Sequence, residues 1–372
     1  MTGVPGRAGS DPQVNPEAIY DDDHEERPAL TVTRRNVVGL GGFLLASLAA
    51  LYFLLPQVAG LDDTWKRIED GRPAWTVAAL LLTFGMFGGY VAMFRGVFVR
   101  GGSRIDWSAS YQITMAGLAA SRLFAAGGAG GLILTAWALR RSGMRRRAVA
   151  DKTISFLVLT YLPYVAAVVI CGFGLHWGLF KGNDPFSLTF LPAVVGVVLL
   201  GIAFGIAFIP TDLQRRLKGF AAREGRVGRL TQKLATVPAA TSAGVRDALE
   251  HLRSRDPALL GAVLFWGSQI AVLWAAFHAF GEAPPVAVLI QAFFLGMLGN
   301  LLPMPGGVGG VEGGMIGAFA AFGVDSGLAV VAVLVYRAFT FWLPMLPGVI
   351  AYFRLRRTVD RWKHERRAPA AW

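Results

Sequence analysis

The stretch that constrains the fold most is GNLLPMPGGVGGVEGGMIGAFAAF at 299–322, which contains eight glycines and two prolines in an otherwise apolar context. Proline removes a backbone donor and disfavours helix at the residue before it, and paired glycines nucleate helix poorly. The apolar part, 311–322, would reach only about 18 Å as a helix, against about 30 Å for the hydrocarbon core. We therefore predict a re-entrant hairpin at 286–322, because irregular backbone at membrane depth must be surrounded by protein or by a water-filled cavity.

Composition places the rest of the chain in the membrane as well. Of 372 residues, 54% are hydrophobic and 16% are charged, which is typical of a polytopic membrane protein. The formal net charge of +12 does not indicate a nucleic-acid partner, because the basic residues lie in loops beside apolar runs, where they set topology and contact anionic headgroups. The single cysteine, Cys171, lies in an apolar run and excludes a structural disulfide and a Cys-based metal site.

The apolar runs predict an all-α polytopic membrane protein with six spans and two re-entrant hairpins. Arginine clusters flank the apolar stretch 107–139 on both sides, and the positive-inside rule returns both clusters to the cytoplasm, which makes this stretch the first hairpin. Both termini are then cytoplasmic, in a multi-pass protein of the cell (plasma) membrane. The predicted spans are about 37–55, 74–94, 153–175, 188–209, 257–280 and 328–353.

Polar segments flank and divide the predicted membrane domain, 34–356. The acidic composition of 1–33 predicts a disordered N-terminal tail and no cleavable signal peptide. Residues 211–256 carry ten Lys or Arg against five Asp or Glu and predict a basic cytoplasmic loop. Its later part places Val245, Leu249 and Leu252 on one helical face, which predicts an amphipathic segment on the inner leaflet. Residues 357–372 are predicted to form a basic C-terminal tail.

The two hairpins resemble each other in sequence. Aligning 127–131 with 306–310 gives an offset of 306 − 127 = 179. Each half then reads span, span, hairpin, span, which predicts an inverted-topology repeat with its site where the broken elements meet. Repeat 1 covers about 37–175 and repeat 2 about 188–353. The same offset aligns Gln112 with Gln291, Gly117 with Gly296 and Ser121 with Asn300. The predicted hairpin tips contain Gly127, Gly128, Gly130, Gly131, Pro303, Pro305, Gly306, Gly307, Gly309 and Gly310.

Three charged residues at predicted membrane depth are candidates for binding, because such groups are costly without a partner. Glu312 either caps the N-terminus of a half-helix, or pairs with a cation or acts as a proton-coupling site. Arg122 either pairs with Glu312 or clamps a lipid phosphate, which guanidinium geometry suits. Arg337 lies about ten residues into the last span, deep enough to require a partner or an anionic ligand.

Four further residues have weaker claims to the same site. Lys152 is either a positive-inside flank or a headgroup contact. Asn300, Gln112 and Gln291 either hydrogen-bond between helices or contact a ligand. The sequence contains no nucleophile motif, phosphate loop or cluster of metal ligands, so we predict no enzyme activity, no metal and no cofactor.

With NLLPMPGGVGGVEGGMIGAFAAFGV at 300–324 and VLVYRAFTFWLPMLPG at 333–348, the chain resembles the flippase-like membrane domain of lysylphosphatidylglycerol synthases and their stand-alone relatives. The resemblance covers about 35–355, and its specific motif is an Asn, a Pro-Gly-Gly-x-Gly-x-x-Glu core, and a span with Arg and Trp-Leu-Pro. Where that family has an Asn and a Pro-Gly in its first half, this chain has Ser121, Arg122 and Ala125–Ala126. Here the motif residues are Asn300, Pro305 to Gly307, Gly309, Glu312, Arg337 and Trp342 to Pro344.

The resemblance implies a stand-alone membrane domain, without the aminoacyl-transferase domain, that translocates an anionic lipid. The candidate lipids are phospholipids, polyprenyl phosphates and glycolipids, whose headgroup would bind between the hairpins. Two other readings stay open. One is a non-transporting scaffold that presents lipid to a separate membrane-associated glycosyl- or aminoacyl-transferase. The other is a membrane-embedded transferase with Glu312 as its base.

Overall fold

The computed structural model describes residues 42, 71–99, 104–123, 129–207, 242–254, 256–302 and 307–367. Within these ranges every regular element is a helix, so the predicted all-α class is confirmed. The predicted N-terminal tail, the span at 37–55 apart from residue 42, and most of the loop 211–256 lie outside them. The helices are α1 (Pro73–Phe98), α2 (Trp107–Leu123), α3 (Ala129–Arg141), α4 (Arg146–His176), α5 (Phe190–Ala207), α6 (Pro257–Phe280), α7 (Val286–Met297), α8 (Gly310–Ala321), α9 (Ser326–Arg337) and α10 (Met345–Arg367).

Four helical stretches in the described part of the chain are long and apolar enough to cross a membrane: α1, α4, α6 and the stretch Ser326–Glu365, which includes α9 and most of α10. They correspond to the predicted spans 74–94, 153–175, 257–280 and 328–353. The predicted span 188–209 corresponds to a shorter apolar helix, Phe190–Gly205.

Local sequence explains where several helices begin. Pro73 and Pro257 open α1 and α6, where the missing amide costs nothing and φ is already helical. Asp256 caps α6 by accepting a hydrogen bond from the amide of Ala258 at 2.9 Å, and Asp325 caps α9 through the amide of Leu328 at 2.9 Å.

The last span differs from the single helix that the sequence predicts. A π-helical turn at Ala338–Trp342 separates α9 from α10, and the amide of Leu343 bonds to the carbonyl of Ala338 at 2.9 Å. Pro344 follows Leu343 and has no amide proton, so it cannot continue the helical pattern of backbone hydrogen bonds. The span is therefore interrupted, and α10 continues to Arg367 through part of the segment assigned to the C-terminal tail.

Each hairpin region forms a pair of helices with its own apolar core. Helices α2 and α3 contact each other, as do α7 and α8. One core surrounds α7 and α8 and includes parts of α4, α6 and α9. The other core includes residues of α2 and α3 together with parts of α1, α4 and α10.

Helices α1 and α6 pack closely against each other, and they run antiparallel. A Cβ on Gly89 would lie 2.9 Å from the carbonyl oxygen of Gly261, and one on Gly96 would lie 2.6 Å from the Cβ of Ala258. Gly85, nearer the start of α1, faces Ser268. The contacts therefore move backwards along α6 as they move forwards along α1, and glycine allows the two backbones to touch.

The amphipathic segment at 242–253 contacts protein through the apolar face that we predicted to lie on the inner leaflet. Val245 is 4% exposed, and a Cβ on Gly244 would lie 2.6 Å from the Cβ of Ile154 in α4. Leu249 and Leu252 line a small apolar groove together with residues of α4 and α5. Part of the apolar face therefore packs against α4 and α5, and contact of the segment with the inner leaflet stays a prediction.

Candidate functional site

A cavity of about 310 Å³ lies between the two hairpin regions. Ser121 and Arg122 line it from the first hairpin, and Met297, Asn300 and Gly307 line it from the second. The remaining walls come from α1, α4, α6 and α9 together with the π-helical turn. Its volume is in the range of sites that hold one small molecule or headgroup.

Arg337 and Glu312 form a buried ion pair at the start of α8. The Nε of Arg337 donates to Oε1 of Glu312 at 2.6 Å, and the two residues are 4% and 5% exposed. The other carboxylate oxygen, Oε2, accepts from the amide of Gly309 at 2.8 Å, where φ is +86°. Glu312 therefore fills the predicted capping position, and its charge is balanced by both Arg337 and the helix N-terminus.

Arg122 contacts the interrupted span instead of Glu312, which overturns the alternative in which those two residues pair. Its Nη2 donates to the carbonyl of Thr340 at 2.7 Å, and its Nη1 donates to the carbonyl of Phe341 at 3.1 Å. In a regular helix the amide N–H of residue 344 would donate to the carbonyl of Thr340, but Pro344 has no amide proton. Arg122 supplies the missing donor from the other half of the chain.

The two arginines meet at the ring of Phe341. The Cζ of Arg337 lies 4.1 Å from the ring centroid, and the Cζ of Arg122 lies 5.2 Å from it. Glu312 offsets one of these two charges, so this end of the cavity carries a net positive charge. Such an arrangement favours an anion.

The other four predicted site residues divide between the cavity and its surroundings. Asn300 lines the cavity, and its amide donates to the carbonyl of Met297 at 3.1 Å. The other three do not line it. Lys152 donates to the carbonyl of Val97 at the end of α1 at 2.6 Å, Gln112 accepts from the hydroxyl of Thr358 at 2.8 Å, and Gln291 donates to the carbonyl of Leu188 at 2.8 Å.

The predicted hairpin tips are described only in part. Gly130 and Gly131 lie in the first turn of α3, and Gly310 begins α8. Gly307 has a φ of +66°, and a Cβ there would lie 2.4 Å from Oδ1 of Asn300, so no other residue fits this position without strain. Gly127, Gly128, Pro303, Pro305 and Gly306 lie outside the described residues.

Comparison with known proteins gives the same family as the motif at 299–348. Residues 38–348 match the family described as lysylphosphatidylglycerol synthase TM region. The chain belongs to this family. A UPF0104 membrane protein of Methanothermobacter thermautotrophicus is 26% identical over 263 residues, which are 65% of this chain and 73% of that relative. Two further matches to UPF0104 membrane proteins of the same organism are 36% identical over 87 and 90 residues, or 23% and 24% of this chain and 25% and 27% of the relatives.

The structure shows where the family-motif residues of this membrane protein lie. Its Glu and Arg form the buried ion pair between α8 and α9, its Asn lines the cavity, and its Trp-Leu-Pro closes the π-helical turn. Arg122, which stands in the first half where the resemblance departs, reaches the turn just before that Trp-Leu-Pro.

Sequence reasoning missed the polar and aromatic groups that complete the cavity. Gln269 in α6 accepts a hydrogen bond from the hydroxyl of Tyr336 at 2.9 Å, and both residues line the cavity with Tyr90 and Tyr161. The rule that selected Arg337, a polar group deep in an apolar span, applies equally to Gln269 and would have found it. The tyrosines carried no comparable signal, because aromatic residues in spans ordinarily suit the membrane interface.

Proposed function

We propose that this protein translocates an anionic lipid across the cell membrane and binds the lipid headgroup between the two hairpins. The observation that carries the proposal is the cavity itself. Residues of both hairpin regions line it, and two guanidinium groups lie at one end against a single carboxylate. A phosphate there would neutralise the excess charge and accept charge-assisted hydrogen bonds in a site of low dielectric.

The proposal includes the full architecture of six spans and two re-entrant hairpins in an inverted repeat. The antiparallel crossing of α1 and α6 supports it, since these helices are equivalent in the two repeats. The hairpins also pack in equivalent ways: α2 contacts α10, and α7 contacts α4. A Cβ on Gly117 would lie 3.0 Å from Oγ1 of Thr135, and one on Gly314 would lie 3.1 Å from the carbonyl oxygen of Gly296.

These glycine contacts are related by the offset that aligned the hairpins. Adding 179 to Gly117 gives Gly296, and adding it to Thr135 gives Gly314 (135 + 179 = 314). The same two positions therefore meet in both hairpins. In inverted-repeat transporters the substrate binds where such broken elements face each other near the midplane. The basic loops then favour cytoplasmic termini.

Within the site, we assign Arg122, Arg337 and Asn300 to the headgroup and Glu312 to the positioning of Arg337. Glu312 suits this role because both its oxygens accept hydrogen bonds from the protein. The same contacts weigh against Glu312 as the base of a membrane-embedded transferase. Lys152, Gln112 and Gln291 are assigned to helix packing, because each bonds to another helix or loop outside the cavity.

Lipid transfer in proteoliposomes tests the proposed function. The variant Arg337→Lys keeps a cation for Glu312 but removes the planar fork that suits a phosphate. We expect it to lower the transfer rate of a fluorescent anionic lipid about tenfold, the effect of losing one charge-assisted hydrogen bond. The matched control is Arg361→Lys, at an exposed position of α10, which should transfer at the wild-type rate. Equal rates in wild type and Arg337→Lys would contradict the assignment.

The scaffold function remains the second candidate, and one observation favours it. Helix α10 extends to Arg367 and exposes Arg354, Arg357 and Arg361, which would suit an acidic surface on a membrane-associated transferase. Under this alternative, the wild-type protein would bind lipid without moving it, and a transferase would co-purify through this helix. Transfer by the purified protein alone excludes it.

A further inference from the structure

The cavity contains a buried hydrogen-bond donor that nothing in the described structure uses. Gln269 is 5% exposed and lines the cavity. The hydroxyl of Tyr336 occupies its Oε1 at 2.9 Å, but its Nε2 has no hydrogen-bond partner among the described residues. Because a buried amide donor is unfavourable when it is left unpaired, this group points to a ligand that carries an acceptor.

An aromatic wall adjoins this donor. Its rings are those of Phe156, Tyr90, Phe265 and Trp266, with successive ring centroids 5.5, 4.8 and 5.0 Å apart. Tyr161 extends the wall, with its centroid 6.5 Å from that of Trp266. The indole N–H of Trp266 already donates to the carbonyl of Thr160 at 2.6 Å, so Trp266 offers its ring face alone. Tyrosine combines an apolar face with a polar tip, so the wall suits a ligand with both C–H faces and hydroxyl groups.

The charges around the cavity favour headgroups that carry hydroxyl groups over headgroups that carry an ammonium group. None of the described residues that line it is Asp or Glu, and Glu312 behind it is held by Arg337 and Gly309. A headgroup ammonium would therefore enter a low-dielectric space beside two guanidinium groups without a carboxylate partner, which is unfavourable. A hydroxyl group meets no such penalty and can accept from the amide of Gln269.

We propose that the cavity selects phosphate-bearing headgroups that carry hydroxyl groups and no ammonium group, such as sugar or polyol phosphates. The phosphate lies at Arg122 and Arg337, and a headgroup hydroxyl accepts a hydrogen bond from Nε2 of Gln269. This selection rests on the proposed function, because it assumes that the ligand is a lipid.

Calorimetric titration of the purified full chain with defined lipids tests the selection. The protein is solubilised in a polyoxyethylene detergent, which supplies neither a sugar nor a charge that could compete for the cavity. The titrated lipids are phosphatidic acid, phosphatidylglycerol, phosphatidylinositol and phosphatidylethanolamine. We expect the two hydroxylated lipids to bind about fivefold to tenfold more tightly than phosphatidic acid, the effect of one buried hydrogen bond. Phosphatidylethanolamine should bind most weakly. In Gln269→Leu the advantage over phosphatidic acid should disappear while the affinity for phosphatidic acid stays the same.

A matched control and a second variant separate binding from folding. Gln291→Leu removes a fully buried glutamine outside the cavity and should keep the preference for hydroxylated lipids. If Gln269→Leu does not fold, Gln269→Met takes its place and is judged by the same preference. An equal loss of affinity for all four lipids in the Gln269 variant, or tighter binding of phosphatidylethanolamine in wild type, would overturn the selection.

Failure of the proposed function gives a different result from failure of the selection. If the wild-type protein binds the anionic lipids but does not distinguish among them, only the selection fails. If it binds none of them, or binds soluble glycerol phosphate as tightly as phosphatidylglycerol, the lipid site itself fails.

Discussion

Glu312→Gln is expected to destabilise the protein by about 3 kcal/mol, because it leaves the guanidinium of Arg337 buried without its counter-charge. The pair is short, 2.6 Å between Nε and Oε1, and both side chains are almost fully enclosed. Equilibrium unfolding by denaturant in mixed detergent micelles measures the change. The matched control is Glu282→Gln in the exposed loop before α7, which should change stability by less than about 0.5 kcal/mol.

A double-mutant cycle separates the ion pair from the packing of its members. Arg337→Gln alone leaves Glu312 unpaired and should cost about as much as Glu312→Gln. The double variant should be more stable than the sum of the two losses predicts, because neither charge then remains buried without a partner. Additive losses, or a Glu312→Gln variant as stable as the Glu282→Gln control, would show that the pair is not energetically coupled.

Arg122→Met is expected both to destabilise the protein by about 2 kcal/mol and to abolish lipid transfer. The stability loss follows from two backbone carbonyls, of Thr340 and Phe341, that lose a charged donor. The transfer loss follows from the removal of one of the two cations at the cavity. Arg147→Met is the matched control, since that side chain is 81% exposed and its ion pair with Asp151 spans 3.9 Å, an interaction worth little.

Pro344→Ala distinguishes the two roles of Arg122. The new amide can bond to the carbonyl of Thr340, so in the Arg122→Met background it should recover about 1 kcal/mol of stability. It supplies no cation, so transfer should remain lost. Recovery of transfer together with stability would mean that Arg122 acts only by supporting the interrupted span, and its assignment to the headgroup would be wrong.

Local sequence signals predicted the helices well. The prolines at 257 and 285 and the glycines around 310 mark the beginnings of α6, α7 and α8, and the structure places those beginnings at Pro257, Val286 and Gly310. Proline and glycine act through the backbone of their own residues, so their effect can be read without knowledge of the tertiary contacts. The number of membrane crossings and the sidedness of the termini stay predictions.

Contacts between distant parts of the chain could not be read in the same way. The donor that completes the π-helical turn is 218 residues away from Thr340, so sequence alone could not decide which arginine pairs with Glu312. The face of Val245 was predicted from its period, which is the same whether a helix packs on lipid or on protein. Gln269, by contrast, is a polar residue within an apolar span, so the rule that selects Arg337 also selects it.

Native mass spectrometry of protein purified from its own membrane tests the central claim most directly. Wild type and the stabilised double variant Arg122→Met/Pro344→Ala would be compared, with identification of the lipids that remain bound. We expect one predominant class of anionic lipid on wild type and the loss of that lipid from the double variant. The same unselective mixture of bulk lipids on both proteins would contradict a headgroup site between the hairpins.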